Sequence, residues 1–228
     1  MKTETSRQEF LARVRSRGVV TSTGSPQPVE PAAPKVSTQA EHLLRVSWGL
    51  IAQFTAALEK VGGRVHRVAS ADEAQEQLVQ ILRQCHAQRV VWADVPELDD
   101  LDLESLKGEF QASSVARLDS PLRDALAQTD VGITDADYAI AETGTLLLCA
   151  HPSRPRLLSA LVAVHVAVLR TDQVVPTFAH LASFVRSRAA ETSHITLISG
   201  PSRTGDIEQE ITIGAHGPRE LHVILRQA

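Results

Sequence analysis

From Thr38 onward, apolar residues return at every third or fourth position: Leu43, Val46, Leu50, Phe54 and Leu58, until Gly62-Gly63 interrupts them. That period sets them on one stripe of an α-helix, and the paired glycines supply its stop. Two short apolar runs follow, at 65–69 and 89–92, separated by a polar, helix-favouring segment at 71–84. Strand, helix and strand in this order predict a βαβ unit and therefore a parallel sheet. Further strands are expected near residues 114–118, 131–134, 145–150, 165–170, 194–199 and 221–225, with a helix near 177–188. The chain is accordingly an α/β protein with a mostly parallel sheet flanked by helices. It shows no internal repeat.

The first residues follow a different pattern. Ser6-x-x-Glu9 is a capping box, and Phe10, Leu11 and Val14 fall on one face behind it, so a short helix is expected over 6–17. Pro26, Pro28, Pro31 and Pro34, mixed with Ser, Thr and Gly, then disfavour both helix and sheet and form a linker. The expected organisation is an N-terminal helical arm and linker over 1–37 and a main domain over 38–228. Such a short helix is marginal alone, so the arm either docks its apolar face on a surface or stays a tail.

Composition narrows the function classes. With 228 residues, 43% hydrophobic and 22% charged, the chain can bury an ordinary core. A net charge of −4 gives no electrostatic grip on nucleic acid or an acidic membrane. Cys85 and Cys149 are the only two cysteines and are far apart in sequence, which excludes a four-cysteine zinc or iron–sulfur site within the chain. Two thiols also make no disulfide framework, pointing to a reducing compartment. The start, Met1-Lys2-Thr3-Glu4-Thr5, lacks an apolar secretory core, and the apolar stretch 157–169 is too short to span a bilayer. A cytoplasmic location is expected.

Three segments could carry chemistry. In the run Gly132-Ile133-Thr134-Asp135-Ala136-Asp137-Tyr138-Ala139-Ile140-Ala141-Glu142-Thr143-Gly144-Thr145, an acid and two hydroxyls surround a glycine just before an apolar strand. Glu142, Thr143, Gly144 and Thr145 are thereby placed at a strand end, where ligands of open sheets often bind. A carboxylate there suits a nucleophile or acid–base role, the plainer alternative being a cap for nearby backbone amides.

The second segment is Ser199-Gly200-Pro201-Ser202-Arg203-Thr204-Gly205-Asp206-Ile207-Glu208. A strand runs into a loop that offers backbone N–H groups, hydroxyls and a guanidinium to an anion or carboxylate, and a short helix capped by Asp206 is expected after it. Gly200-x4-Gly205 imitates the start of a phosphate-binding P-loop. However, Asp206 stands where lysine is needed, so nucleotide binding of that type is rejected. Ser202 is not in a nucleophile elbow either, since Thr204 replaces the required glycine. Arg203 as a plain surface charge remains the bland alternative.

The third is Gly214-Ala215-His216-Gly217-Pro218, where a histidine on a tight turn could orient substrate or act as a base, or simply bond locally. Elsewhere, Cys149-x-His151 offers two metal ligands where a stable site needs three or four, so no metal site is expected. Cys149 and His165 are expected in the core, and Trp48 and Trp92 as packing residues.

The run from Gly132 to Thr145 and the run from Ser199 to Glu208, with His216-Gly217-Pro218, resemble the signatures of the LUD-domain family, in particular of lactate-utilisation protein C. The resemblance extends from about Thr38 to Leu225, with Gly205 standing where alanine is expected. It implies a fold of the NagB/RpiA/CoA-transferase-like group and participation in oxidising L-lactate to pyruvate beside iron–sulfur partner proteins. The chain itself would hold no intrinsic cofactor and would contribute a small-anion or cofactor pocket. In that pocket Glu142 and His216 are the candidate catalytic residues, and Thr143, Gly144, Thr145, Ser199, Gly200, Ser202, Arg203, Thr204 and Asp206 the binding ones. Two alternatives stay open: an independent transferase or hydrolase acting on a CoA thioester or phosphorylated small molecule, and a non-catalytic scaffold. Homo-oligomerisation is compatible with all three.

Overall fold

The computed structural model describes residues 36–118, 121–205, 211–214 and 216–227. The expected N-terminal helix, the Pro-rich linker, Asp206 and the short helix expected after it lie outside them. The chain divides into units Met1–Gln39 and Ala40–Ala228, and every contact described below belongs to the second.

Helix α1 is Val36–Lys60; of the predicted stripe, Phe54 and Leu58 are fully buried and Leu50 half-buried, the side chains of Leu43 and Val46 lie outside the described ones, and Ile51 beside the stripe is nearly fully buried. Its last carbonyls are taken by Val61, Gly62 and Gly63, whose N–H groups donate to Leu58, Glu59 and Leu58. Strand β1, Arg64–Val68, leads to helix α2, Ala71–Gln84. The Ser70 hydroxyl accepts from the Glu73 N–H, while the Glu73 carboxylate accepts from the Ala69 N–H, so two otherwise orphaned donors are satisfied. Ala74, Leu78, Ile81 and Leu82 form the buried face of α2.

The remaining strands are β2 (Arg89–Trp92), β3 (Gln111–Ser114), β4 (Val131–Asp135), β5 (Tyr138–Ile140), β6 (Thr145–Cys149), β7 (Val164–Arg170), β8 (Val174–Val175), β9 (Ile195–Ile198), β10 (Arg203–Gly205), β11 (Ile211–Ile213) and β12 (Glu220–Arg226). Five of them join β1 in one sheet of six strands in the order β1-β12-β7-β4-β2-β3, every neighbouring pair parallel. A second, mainly antiparallel sheet has the order β8-β5-β6-β9, and β10 pairs with β11. The central strands β4 and β7 are buried on both faces, so their apolar residues are not confined to alternate positions, and Thr134, Asp135 and His165 are buried with them.

The layers follow from which side chains pack together. One face of the parallel sheet, with Val164, Val166, Val168 and Ile224, packs on α2. The other, with Ala167, Leu169, Leu221, Val223 and Leu225, meets α1, which shares that core with Ala139, Leu146 and Leu148 of the second sheet. Helix α3 is the short Leu122–Ala127, whose Leu126 is buried in the α2 core. The outer face of the second sheet, Ile140, Leu147 and Cys149, is covered by Leu181, Phe184 and Val185 from the segment entering and forming helix α4, Ala182–Arg188.

Several sequence expectations need correction. The strand expected near 114–118 is instead β3 at Gln111–Ser114, and Val115–Arg117 is a 3₁₀ turn. β3 is an edge strand paired only with β2, so polar residues suffice there, and Val115 and Leu118 turn into the core after it. The helix expected over 177–188 divides into a 3₁₀ turn at Phe178–Leu181 and the α4 helix. Trp92 is buried as expected, but Trp48 is 54% exposed, with the Arg67 guanidinium 4.7 Å from its ring centre. Among the described residues no helix is long and apolar enough to cross a membrane.

Candidate functional site

The first motif forms the hairpin turn between β5 and β6, with Ile140 opposite Thr145. Gly144 has φ +61, and a Cβ built on it would stand 2.3 Å from the backbone nitrogen of Leu58. Only glycine permits this turn to lie directly on the last turns of α1. Thr143 and Thr145 point their hydroxyls at each other, 2.7 Å apart, and Thr145 Oγ1 is 2.7 Å from Ser199 Oγ. The two motifs singled out in the sequence are therefore joined by an unbroken chain of three hydroxyls.

The second motif continues along the same end of α1. Gly200 has φ +90 and sits against Val61, whose carbonyl oxygen would be 2.9 Å from an added Cβ. Next along the chain, the Arg203 guanidinium lies over Gly62, with Nη2 2.6 Å from the place a Cβ would occupy. Arg203 is exposed, and no described side chain forms an ion pair with it. Thr204 contributes its backbone to β10, opposite Thr212.

The third motif meets the second. The Ser202 N–H donates to the Pro218 carbonyl at 2.8 Å, the Gly214 N–H donates to the Ser202 carbonyl at 2.8 Å, and Gly217 faces the Ser202 side chain. His216 is exposed and lines a cleft of about 760 Å³ together with Gln128, Asp130, Leu161, Gly214 and Arg219. The turn of the first motif and the other two motifs thus lie at the edge where α1 ends and where β1, β4, β7 and β12 begin. This is the amino edge of the parallel sheet, opposite the carboxyl edge at which open α/β sheets usually bind ligands. Glu142 is exposed on its turn, and its N–H donates to the Pro176 carbonyl at 3.0 Å.

The carboxyl edge holds a group the sequence reading passed over. Arg154, 6% exposed, reaches between Asp135 at the end of β4 and Asp137, forming ion pairs with both. Its Nη2 also donates to the Cys149 carbonyl at 2.7 Å, and Asp137 Oδ2 accepts the Cys149 N–H at 2.7 Å. Burial raises the Asp135 pKa against the pull of Arg154, and its Oδ1 has no hydrogen-bond partner. The only sequence signal was the spacing Asp135-x-Asp137 inside the first motif. Cys149 is buried as expected, and its thiol is pushed up to about 11, first by burial and then by Asp137. His165 is fully buried in β7, as expected.

The two cysteines do not meet, since Cys85 packs with the α2 core and Cys149 with the α4 core.

The α/β domain with its six-stranded parallel sheet has a solved relative. The crystal structure of a DUF162 family protein from Deinococcus radiodurans matches with a TM-score of 0.61 and 25% identity, covering 79% of this chain and 98% of that one. The model of the LUD domain matches residues 51–225, and the chain belongs to the LUD-domain family. It is 29% identical over 160 residues to a protein named lactate utilization protein C from Halalkalibacterium halodurans, covering 68% of this chain and 70% of that relative. It is 26% identical over 231 residues to a lactate utilization protein B from Shouchella clausii, covering 76% of this chain but 47% of that longer relative.

Proposed function

We propose that this chain serves lactate utilisation as a subunit of a multi-protein iron–sulfur system that oxidises L-lactate to pyruvate, and that it supplies a pocket for a small anion or cofactor. The observation that carries this reading is the hydroxyl chain of Thr143, Thr145 and Ser199, whose loop goes on to Arg203, an exposed residue with its guanidinium over Gly62 at the end of α1. Hydroxyls and a guanidinium are groups that can hold a carboxylate, which accepts hydrogen bonds at both oxygens. Glu142 and His216 each lie one residue from a contact of this surface and are its candidate proton-handling groups.

Lactate oxidation releases two electrons and two protons. Two separated cysteines cannot ligate a cluster, so in this reading the electrons pass to iron–sulfur centres on partner proteins. The kinship with proteins named lactate utilization protein C and B supports the pathway. The test is growth on L-lactate as sole carbon source after deletion of the gene, with complementation by the wild type and by Arg203→Ala. Growth should fail on deletion, return with the wild type and fall well short with the variant, while the purified chain alone should not oxidise lactate with an artificial electron acceptor. Turnover by the isolated chain would refute the division of labour.

A further inference from the structure

Parallel strands β1 and β12 turn four polar side chains toward the face that α2 covers: Arg64 and His66 from one, Glu220 and His222 from the other. Cys85, the C-cap of α2, adds a thiol above them. Ligand atoms of Cys85, Glu220 and His222 lie within 4.8 Å of one another. The His222 side chain is 1% exposed, whereas that of Glu220 is 34% exposed, so the group is closed on the protein side and open to water on one flank.

His222 is held from behind. Its Nδ1 is 3.0 Å from His66 Nε2, with the ring planes within 5° and the centroids 5.3 Å apart. That separation fits two rings lying edge to edge nearly in one plane, joined by a hydrogen bond, rather than stacked face to face. An N···N separation of 3.0 Å is that of one hydrogen bond, in which one ring nitrogen carries the proton and the other accepts it. On the other side, His222 Nε2 is 3.4 Å from Glu220 Oε2 and 3.3 Å from Arg64 Nη1, and that same Arg64 nitrogen is 2.6 Å from Glu220. A cationic group already sits against the carboxylate and the imidazole. Arg64 is 60% exposed along its side chain and is free to swing outward, since a surface ion pair has little net worth.

We propose that Cys85, His222 and Glu220 form a binding site for a divalent cation of the zinc class, which takes the place now held by the Arg64 guanidinium. One sulfur, one imidazole nitrogen and one carboxylate oxygen are the donor mixture of a borderline-soft ion, and would hold magnesium or calcium poorly. Three protein ligands leave a fourth position for water on the flank opened by Glu220. His66 is a positioning residue: by accepting the His222 Nδ1–H it turns the bare Nε2 lone pair toward the ion. Ligand atoms around tetrahedral zinc are about 3.5 Å apart, so rotation of the half-exposed Glu220 and a small shift of Cys85 complete the site. Binding replaces the thiol proton of Cys85, which is released to the buffer.

The test uses the untagged full-length chain, stripped with chelator and titrated with cobalt(II). The expected result is one ion per chain, with a thiolate-to-cobalt charge-transfer band that zinc(II) abolishes. Cys85→Ser should remove the band and Cys149→Ser should retain it. Glu220→Gln should weaken binding by about tenfold or more, and circular dichroism should show that each variant folds. Arg64→Ala, at an exposed position, should tighten binding several-fold by removing the competing cation. Absence of the band, its survival in Cys85→Ser, or unchanged or weaker binding by Arg64→Ala would overturn the proposal.

Discussion

Thr145 Oγ1 and Ser199 Oγ stand 2.7 Å apart, and through this bond the hairpin turn of the second sheet is locked to the loop that carries Arg203. Thr145 is buried and Ser199 belongs to a half-exposed loop, so the bond links a fixed group to a more accessible one. Thr145→Val keeps the shape and removes the central hydroxyl. It should lower stability by about 1 kcal/mol, the usual net worth of a hydrogen bond. Its effect on lactate-dependent growth should be larger than this loss explains, and should exceed that of Thr143→Val at the end of the chain of hydroxyls. Equal growth of the two variants would count against a binding role for the central group.

Gly144 tests how the turn is seated. Alanine there would need both a left-handed backbone and a Cβ placed 2.3 Å from the Leu58 nitrogen. Gly144→Ala should therefore destabilise the protein by about 3 kcal/mol or more in urea unfolding. Gly49, inside α1, has nothing within 4 Å of an added Cβ, and Gly49→Ala should stabilise by up to about 1 kcal/mol. The opposite signs separate close approach from helix propensity.

The same contrast explains what could be read from sequence. Helix α1 was legible because burying one face imposes a period of three to four, α2 because its residues are polar and helix-favouring, and β7 and β12 because burial on both faces leaves mostly apolar strands. The strands β5 and β8 were not, since three and two residues take their conformation from the strands beside them. The glycine turns were visible because backbone geometry leaves its mark on composition. What gathers around Arg154 and around His222 was hidden: their partners come from strands distant in sequence, and burial of a charge shows only once the layers are assembled.

Arg154 carries the clearest energetic consequence of that assembly. Its side chain is 7% exposed and faces Asp135 and Asp137, so Arg154→Met would leave two carboxylates in a nearly dry setting. Breaking a buried pair from one side costs about 3–5 kcal/mol. The variant should lose that much in urea denaturation at pH 7, and adding Asp135→Asn to Arg154→Met should restore part of it. If Asp135→Asn deepens the loss instead, the charge left behind is not the cause of the instability.

His165 predicts a pH dependence with a definite sign. It is completely buried, and burial alone lowers its pKa from 6.5 to about 3. The ring bonds the Thr134 hydroxyl through Nε2 at 2.9 Å, while Nδ1 has no partner. The Nε2–H is the donor, because an unmatched lone pair at Nδ1 is tolerated more easily than an unmatched N–H. On unfolding the ring meets water and protonates near its ordinary value. Between about 3 and 6.5 the unfolded chain then holds one proton more than the folded chain, so stability is complete above 6.5 and falls as the pH drops through this window. The slope is about 1.4 kcal/mol per pH unit well inside the window, or roughly 2 kcal/mol between pH 6.5 and 5. Other groups titrate in the same range, so the measurement is the difference between wild type and His165→Gln in urea unfolding at the two pH values. The variant should be less stable at neutral pH, where the packed ring is lost, and should close on the wild type as the medium is acidified. A gap that stays constant from pH 6.5 to 5 would show that His165 is already protonated in the folded core.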